Sequence, residues 1–397
     1  MSVGSFYFKL KVLLVLVVLP LSSNYGLFTA AALACCGLDL AFVGIHIFER
    51  RGKLSFYVLL SALLFLGWLV LEYVIFLNSS LVRVVQCFCI VMCYIGNSWL
   101  DAKYVNLGFV RNVIFLQLLL FVIWWPLTGF VTNYYCAIYL HSNTLAGILL
   151  GYLVILVYLQ QSQKSGSKKS YYIMYAFLAF LFIVANSRSA TLTVAIFLAG
   201  LLFLNCRKEQ TARRRSVLLI VASMLFVAAF SIIYPQLLDT ELGLQLELLS
   251  RKYLNKNFFS GREVVWKKLE TIIMQSPLIG YGLDKVPNSF FTTPFSSHNL
   301  WLQTALQTGF IGIATLLLFY LNAIRFTMDQ KFPQWRIAAS FGAAFIVHEC
   351  LEVSLTQNNL FVGMIVWFFF GLMAVGKKNS ISAGNDLSVT GEYEVGK

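Results

Sequence analysis

The sequence predicts an all-α polytopic membrane protein, with about twelve transmembrane helices and one large outer loop that contains short helices. Hydrophobic residues make up 59% of the 397 residues and charged residues only 12%, against about 25% charged residues in an ordinary soluble domain. The apolar residues fall in runs of about 20, the length that crosses a bilayer as a helix. A soluble fold has no means of burying so many long apolar runs.

Twelve apolar stretches are candidate spans. They cover roughly residues 12–26, 27–48, 54–77, 82–100, 107–126, 135–159, 171–186, 189–205, 216–235, 299–323, 336–354 and 357–375. Lys9 and Lys11 precede the first stretch, as in a signal sequence, but a second stretch follows at once, so we predict an uncleaved first helix. The resulting organisation is helices 1–9 in 1–235, a loop in 236–298, helices 10–12 in 299–376, and a polar tail, predicted to be disordered, in 377–397.

The basic residues set the predicted orientation, because cytoplasmic loops of membrane proteins are enriched in Lys and Arg. The short connections on the opposite side contain only Arg83 and Arg188. Both termini are therefore expected in the cytoplasm and the large loop outside. This placement also argues against a nucleic-acid-binding face, despite the net charge of +13. The basic clusters assigned to the cytoplasm are Lys9/Lys11, Arg50/Arg51/Lys53, Lys103, Lys164/Lys168/Lys169, Arg207/Lys208/Arg213/Arg214/Arg215, Arg325/Lys331/Arg336 and Lys377/Lys378.

The large loop has its own local pattern. Residues 238–256 mix Leu with charged residues, which indicates an amphipathic helix lying on the membrane surface. Ser260 followed by Glu263 is typical of a capping box and predicts a helix from about 261 to 275. The chain is then expected to turn at Pro277, Gly280 and Gly282.

Three residues of polar character are predicted to meet at the outer face. Arg188 lies between two apolar spans, Arg262 begins the loop helix, and His298 precedes the tenth span. The planar fork of an arginine suits phosphate oxygens, and a neutral imidazole can accept a proton from a hydroxyl. The alternative for Arg188 is an ordinary loop arginine that extends to lipid headgroups. No metal site and no cofactor motif is found.

Four further residues are candidate substrate contacts, each with a structural alternative. Trp266 could stack on a sugar ring or anchor the loop helix at the membrane interface. Asn299 could orient His298 or cap the tenth helix. His348 could line the same cavity together with Glu349 and Glu352, or all three could form a packing cluster. Tyr281 lies in a Gly-Tyr-Gly sequence that is weak evidence for any role. His46 and His141 lie in apolar spans and are expected to be structural.

These residues form a pattern that resembles the O-antigen ligase/polymerase superfamily of bacterial inner-membrane glycosyltransferases. The pattern is a transmembrane Ser187-Arg188-Ser189-Ala190, then Ser260-Gly261-Arg262, Trp266, Pro277-Leu278-Ile279-Gly280-Tyr281-Gly282, His298-Asn299, Gly309 and Gly312. The motifs cover about 185–315, and the twelve-span topology with a large late loop extends the resemblance to nearly the whole chain.

The resemblance implies transfer of a glycan from undecaprenyl pyrophosphate on the periplasmic face of the inner membrane. In a ligase the acceptor is lipid A–core, in a polymerase another lipid-linked repeat, and in a protein O-oligosaccharyltransferase a Ser or Thr side chain. The length and the lack of an extended C-terminal domain favour an inverting, metal-independent ligase of lipopolysaccharide biosynthesis. Arg188 and Arg262 would hold the pyrophosphate, and His298 would activate the acceptor hydroxyl. A lipid-linked glycan transporter or flippase is the alternative from another class.

Overall fold

The computed structural model describes residues 2–22, 27–46, 55–77, 80–162, 168–206, 208–254, 257–293, 295–328, 334–358 and 360–375. These residues form an all-α protein without strands, as the composition predicts. The tail that is predicted to be disordered lies outside the described residues. So do these basic residues, which the sequence assigns to the cytoplasm: Arg50, Arg51, Lys53, Lys164, Arg207, Lys331, Lys377 and Lys378.

The helices follow the predicted order. The first is α1 (Val3–Leu13), which continues through a π-helical turn, Leu14–Val18, into α2 (Leu19–Ser22). Before the large loop come α3 (Phe28–His46), α4 (Phe56–Ile75), α5 (Leu81–Ser98), α6 (Leu107–Leu127), α7 (Ser142–Ser162), α8 (Lys168–Ala185), α9 (Arg188–Leu204) and α10 (Glu209–Gln236). The loop contains α11 (Glu241–Leu254) and α12 (Arg262–Ile273), and the chain returns through α13 (Leu300–Met328), α14 (Trp335–His348) and α15 (Leu360–Ala374).

Nine helical stretches of the described chain have the length and apolar composition to cross a membrane. They coincide with nine of the predicted spans. The other three predicted spans correspond to α9, α14 and α15, which are shorter, with 17, 14 and 15 residues. The prediction of an all-α polytopic membrane protein is therefore confirmed, whereas the count of twelve spans stays a prediction.

The first helix begins earlier than the hydropathy pattern predicted. Lys9 and Lys11 were assigned to its cytoplasmic flank, but the helix starts at Val3 and contains both. Lys11 is fully buried and forms an ion pair with Asp39 of α3, and Tyr7 donates a 2.7 Å hydrogen bond to the same carboxylate. A lysine that is neutralised inside the bundle looks like a helix boundary in a hydropathy window.

Helices α14 and α15 occupy the centre of the bundle. Every residue of α15 is buried, and α14 packs most extensively against α9 and α10 while α15 packs against α5. Because α14 ends at His348, the polar segment 349–358 between these two helices is non-helical. The helix in the predicted span 336–354 therefore ends early, and the segment that follows it is mostly buried among the surrounding helices.

Helix α13 is broken at Gly309, which has φ +65° and ψ −170°. A break in a helix leaves backbone N–H and C=O groups without their usual partners. Here the loop residues 277–282 insert beside the break and pair with these groups. The hydrogen bonds are Tyr281 N to Leu306 O (3.0 Å), Gly282 N to Gln307 O (2.9 Å), Phe310 N to Pro277 O (2.8 Å) and Ile311 N to Leu278 O (3.4 Å).

Two glycines permit this close approach. A Cβ atom on Gly309 would lie 2.0 Å from Leu278 O, and one on Gly280 would lie 2.6 Å from the carbonyl carbon of Gln307. Both glycines also have positive φ, which other residues adopt only with strain. The predicted turn at residues 277–282 thus fills the break in α13 and pairs with its free backbone groups.

The loop helices confirm the two predicted helices with one correction. Helix α11 lies within the predicted 238–256, and α12 begins at Arg262 after Gly261, whose φ is +89°. The Glu263 carboxylate accepts hydrogen bonds from the backbone N of Ser260 (3.2 Å) and Gly261 (3.0 Å). The Ser260 side chain, predicted to be the cap, makes no capping bond, so only the glutamate half of the capping box forms.

Candidate active site

The three residues predicted to act together all stand at helix starts. Arg188 is the first residue of α9, Arg262 is the first residue of α12, and His298 precedes α13 by two residues. The unpaired N–H groups at a helix start carry partial positive charge. The arginines add full positive charges to helix ends that already favour an anion.

The carboxylate of Glu352 joins two of these residues. Its Oε2 lies 3.5 Å from Nδ1 of His298, and its Oε1 lies 3.8 Å from Nη2 of Arg262. Asn143, at the start of α7, donates a 2.8 Å hydrogen bond to the same Oε1. Since the Glu352 side chain is only 6% exposed, these partners compensate a charge that has lost most of its water.

Glu352 and Arg262 influence each other's pKa. Burial alone raises the pKa of Glu352, but the hydrogen bond from His298 and the charge of Arg262 outweigh it, so the pKa lies below its ordinary value. Burial lowers the pKa of Arg262, although the Glu352 carboxylate opposes that shift. An arginine keeps its proton at any physiological pH. At neutral pH, Glu352 and Arg262 are therefore both charged.

Arg262 and Arg188 are held by the backbone of neighbouring segments. Nη1 of Arg262 donates to Leu351 O at 2.8 Å, and Nη1 of the exposed Arg188 donates to Asn257 O at 2.6 Å. Burial is the main cause of the lowered pKa of Arg262, and the charge of Arg188 adds to it. The N–H groups of both arginines that remain free of these backbone bonds can bind an anionic ligand.

His298 has a strained backbone and a partly open side chain. Its φ is +43°, and 37% of its side chain is exposed. A non-glycine residue in this region costs about 1–3 kcal/mol and persists only where its surroundings enforce it. The flanking residues do so, because Ser297 and Asn299 are both buried.

Asn299 caps α13, which was one of its two predicted roles. Its Oδ1 accepts hydrogen bonds from Trp301 N (3.0 Å) and Leu302 N (3.1 Å), and its Nδ2 donates to Ser231 Oγ at 3.0 Å. The side chain has no exposed surface. A direct contact between Asn299 and a substrate therefore has no support in this geometry.

Trp266 is fully buried, which fits neither of its two predicted roles. The indole packs edge-on against Tyr234 and Phe230 of α10, with ring centroids 5.5 and 5.9 Å away. Its Nε1 donates a 2.6 Å hydrogen bond to Ser297 O. The ring has no face open to a sugar or to lipid, and it instead ties α12 to the residue that precedes His298.

Tyr281 and His348 each have a hydrogen-bond partner within the fold. The Tyr281 hydroxyl donates to Ile272 O of α12 at 2.9 Å, which ties the inserted loop to this helix. Nδ1 of the buried His348 lies 3.0 Å from Thr193 Oγ1, which connects α14 to the helix that begins with Arg188. The other histidine whose side chain can be compared, His141, was predicted inside a span, but it is exposed and precedes α7.

The sequence reasoning underestimated Glu352 and missed Asn143. In the sequence, Glu352 is one member of a cluster that could line the cavity or only pack, and its contacts to Arg262, His298 and Asn143 identify it as the centre of the candidate site. Asn143 carries a weak signal, an amide inside the predicted span 135–159. Nothing in the spacing connected it with a glutamate 209 positions later.

An apolar groove of about 530 Å³ opens beside the site, between α10, α12 and α13. Ser231, which is hydrogen-bonded to Asn299, lines it, as does Trp301, so the groove begins next to the segment that carries His298. Its walls are otherwise almost entirely hydrophobic, and include Val227, Ile273, Ala305, Phe310, Ile313 and Leu317. Such a groove suits a hydrocarbon chain.

Together these elements provide the parts of a group-transfer site for an amphiphilic anion. The arginines and the helix starts can bind and stabilise phosphate oxygens. The imidazole beside a carboxylate can accept a proton, and the groove can receive an apolar tail. Within the described residues, no group of three or more His, Cys, Asp and Glu side chains is arranged to hold a metal ion.

Two comparisons show which known proteins the chain is similar to. Residues 173–317 match a family model described as O-antigen ligase. The matched segment contains Arg188, Arg262, His298 and both sides of the break in α13. The chain is also 20% identical over 220 residues to the exopolysaccharide production protein ExoQ of Rhizobium meliloti (strain 1021), and this alignment covers 50% of the chain and 49% of ExoQ.

The described residues thus form an all-α polytopic membrane protein, and residues 173–317 of the chain are similar to the O-antigen ligase family. The resemblance to the O-antigen ligase/polymerase superfamily, predicted from the motifs, is confirmed by both comparisons. The chain spans about half the length of the curated relative that it matches.

Proposed function

We propose that this protein is an O-antigen ligase, which transfers O-antigen polysaccharide from undecaprenyl pyrophosphate to lipid A–core at the periplasmic face of the inner membrane. The observation that carries the proposal is the contact of Glu352 with both His298 and Arg262 at one end of an apolar groove. The match of residues 173–317 to the O-antigen ligase family supports the reaction class.

The proposed reaction is a single displacement at the anomeric carbon of the donor. The acceptor hydroxyl attacks this carbon and loses its proton to His298, while the bond to the pyrophosphate oxygen breaks and the electron pair leaves with undecaprenyl pyrophosphate. The configuration of the carbon inverts. Since pyrophosphate is already a good leaving group, the protein mainly positions the reactants and stabilises developing charge.

Arg188 and Arg262 have the proposed role of binding the pyrophosphate. Both are held by backbone carbonyl groups, and both begin helices whose N–H groups favour an anion. A guanidinium group can form two parallel hydrogen bonds to phosphate oxygens, which a lysine cannot. The pair would supply the positive charge that a divalent metal supplies in other transferases, without need of a cofactor.

The apolar groove is the proposed site for the polyprenyl chain. It lies between helices that carry Arg262 at one end and His298 near another, so a lipid in the groove would place its phosphates near both residues. Its volume of about 530 Å³ accommodates part of a long hydrocarbon chain, and the remainder would extend into the bilayer.

A polymerase is the second candidate, because the relative ExoQ is named for exopolysaccharide production and not for ligation to lipid A–core. A gel of lipopolysaccharide from a deletion strain separates the two. Bare core, with polymer accumulating on undecaprenyl pyrophosphate, supports the ligase. Core that bears a single repeat shows a polymerase, and transfer of the glycan to protein shows an O-oligosaccharyltransferase.

A transporter of lipid-linked glycans is the candidate from another class. An in vitro reaction with purified protein in detergent decides between the classes, since detergent removes the two compartments. The proposed enzyme forms a covalent glycan–acceptor product in this system. A transporter forms none, and absence of product with verified donor and acceptor would contradict the proposed function.

A further inference from the structure

A second cavity lies on a different face of α13 from the apolar groove. Its volume is about 30 Å³, which exceeds the roughly 10–15 Å³ that one water molecule needs. Its apolar wall comes from α4 and from Leu283 of the large loop. Its polar lining consists of Arg83 from α5, Thr304, Gln307 and Thr308 from α13, and Thr356 and Gln357 from the segment before α15.

Arg83 is the charged residue of this lining. Its Nη1 donates a 3.0 Å hydrogen bond to Gln86 Oε1, and the side chain is half-buried. Among the residues that the structure describes, no carboxylate lies within ion-pair distance of Arg83. An arginine has five N–H donors and suits carboxylate and phosphate oxygens. The half-buried guanidinium of Arg83, at the end of a span, can therefore still bind an anionic group.

Hydrogen-bonded side chains connect this cavity to the site. The series starts at Ser297, the residue before His298, and ends at Gln357 in the cavity wall. Networks in which every member has a partner are rigid, so the cavity keeps a fixed position relative to His298. The hydrogen bonds are Ser297 Oγ to Gln303 Oε1 (2.9 Å), Gln303 Nε2 to Lys285 O (2.8 Å), Gln307 Nε2 to Lys285 O (3.0 Å) and Gln357 Nε2 to Gln307 Oε1 (3.1 Å).

We propose that the cavity at Arg83 binds an anionic group, a carboxylate or a phosphate, carried by the acceptor glycan. This inference rests on the proposed function, in which the lipid-linked donor occupies the apolar groove and the acceptor approaches along the polar face of α13. The small volume admits the oxygens of one acidic group, while the sugar ring stays outside. The hydroxyl groups of Thr304 and Thr356 in the wall supply further hydrogen bonds to those oxygens.

The test is a binding experiment with small sugars on the full-length protein in a nonionic detergent. D-glucuronate, D-glucose 6-phosphate and neutral D-glucose are titrated at constant ionic strength, and the thermal unfolding midpoint is followed. The variants are Arg83→Gln and a matched control, Arg214→Gln, which changes an exposed arginine on the predicted cytoplasmic side. Anions that bind at Arg188 and Arg262 contribute equally to all three proteins.

We expect both acidic sugars to raise the midpoint of the wild type and of Arg214→Gln, and D-glucose to have no effect. Arg83→Gln should weaken the apparent affinity for the acidic sugars about tenfold or more, which corresponds to at least about 1.4 kcal/mol. Thr304→Val, which keeps the side-chain shape and removes a hydroxyl from the wall, should weaken it less. An unchanged affinity in Arg83→Gln, or an equal response to D-glucose, would overturn the inference.

A lipid headgroup is the other source of a phosphate at this position. Anionic phosphatidylglycerol added to the same detergent distinguishes the two. If it raises the midpoint only when Arg83 is present, and abolishes the response to the sugars, the ligand is a headgroup and the inference is wrong. If the sugar response persists in its presence, the inference is supported.

The transfer reaction separates failure of this inference from failure of the proposed function. Arg83→Gln should raise the acceptor concentration that gives half the maximal rate, and leave the dependence on donor unchanged. If the wild type transfers glycan and this variant shows no such shift, the acceptor site is elsewhere. If the wild type transfers nothing, the proposed function fails, while the sugar titration still reports on the cavity.

Discussion

The Glu352 carboxylate lies 3.5 Å from Nδ1 of His298, near the start of α13. A carboxylate at this position favours the tautomer with the proton on Nδ1, which leaves Nε2 free to accept a proton. Because Glu352 also faces Arg262, the site that would bind phosphate and the site that would accept a proton share one side chain. Glu352 can thus align both halves of the proposed reaction.

The first prediction concerns this shared side chain. Glu352→Gln keeps the size of the residue and removes its charge, so it should slow glycan transfer about 10²-fold, while His298→Ala should slow it about 10²–10⁴-fold. If Glu352 acts through His298, the double variant should be no slower than His298→Ala alone. The measurement is the initial rate with purified protein in detergent. Losses that simply multiply would show that Glu352 acts independently of His298.

Replacing Arg262 or Arg188 by lysine should slow glycan transfer, although the positive charge is kept. Arg262→Lys keeps the positive charge but loses the planar fork, so transfer should fall about tenfold or more, and further in Arg262→Ala. Arg188→Lys should behave in the same way, with a rise in the donor concentration needed for half the maximal rate. Arg214→Lys is the matched control and should match the wild type. Full activity of Arg262→Ala at normal expression would remove Arg262 from the mechanism.

The lowered pKa of Glu352 makes a part of the stability depend on pH. A carboxyl group whose pKa is lower in the folded state stabilises the fold fully above its unfolded pKa, about 4.3 for glutamate. This contribution is lost as the pH falls through the folded pKa. The wild type should therefore unfold at a higher temperature than Glu352→Gln at pH 7, and the difference should shrink below pH about 4. A difference that grows on acidification contradicts the lowered pKa.

The broken helix predicts which glycines tolerate a methyl group. Gly309→Ala forces a Cβ atom to within 2.0 Å of Leu278 O at a position with φ +65°, so it should destabilise the protein severely, with about 1–3 kcal/mol from the backbone strain alone. Gly67→Ala is the matched control, because nothing lies within 4 Å of the added atom. Thermal unfolding in detergent measures both. Equal midpoints for the two variants would show that the insertion is absent in solution.

The arginine pair predicts a reaction that needs no divalent metal. Transfer by the purified protein should keep its rate in EDTA, since Arg188 and Arg262 supply the positive charge at the leaving group. The same reaction with added Mg²⁺ is the comparison. Activity that disappears in EDTA and returns with Mg²⁺ would contradict this part of the mechanism.

Hydropathy and charge assign Arg188, Arg262 and His298 to the same membrane face, and the sequence alone predicts on this ground that the three act together. It could not predict that Glu352 joins two of them. That relation depends on α14 ending at His348, and helix ends inside apolar sequence carry little local signal. The buried pair of Lys11 and Asp39 was hidden for the opposite reason, since a charge inside a helix looks like its boundary.

The structural role of the glycines in and after the large loop could not be predicted from the sequence either. Gly280, Gly282 and Gly309 are visible as a pattern, but a pattern does not show that one segment inserts into another 30 residues away. Trp266 was assigned to a surface because tryptophans favour interfaces, yet its indole is fully buried against α10. Both roles depend on tertiary packing, which overrides local preference.

The insertion of residues 277–282 into the break of α13 also constrains how the protein is made. The break in α13 leaves backbone groups unpaired until the loop is in place, and unpaired groups are costly at a membrane. Because the loop precedes α13 in the chain, it is synthesised first and must be available when the helix forms. Residues 277–282 and the broken region of α13 must therefore assemble in the same step. A chimera that exchanges the loop with a relative must therefore carry residues 277–282 and 306–311 together.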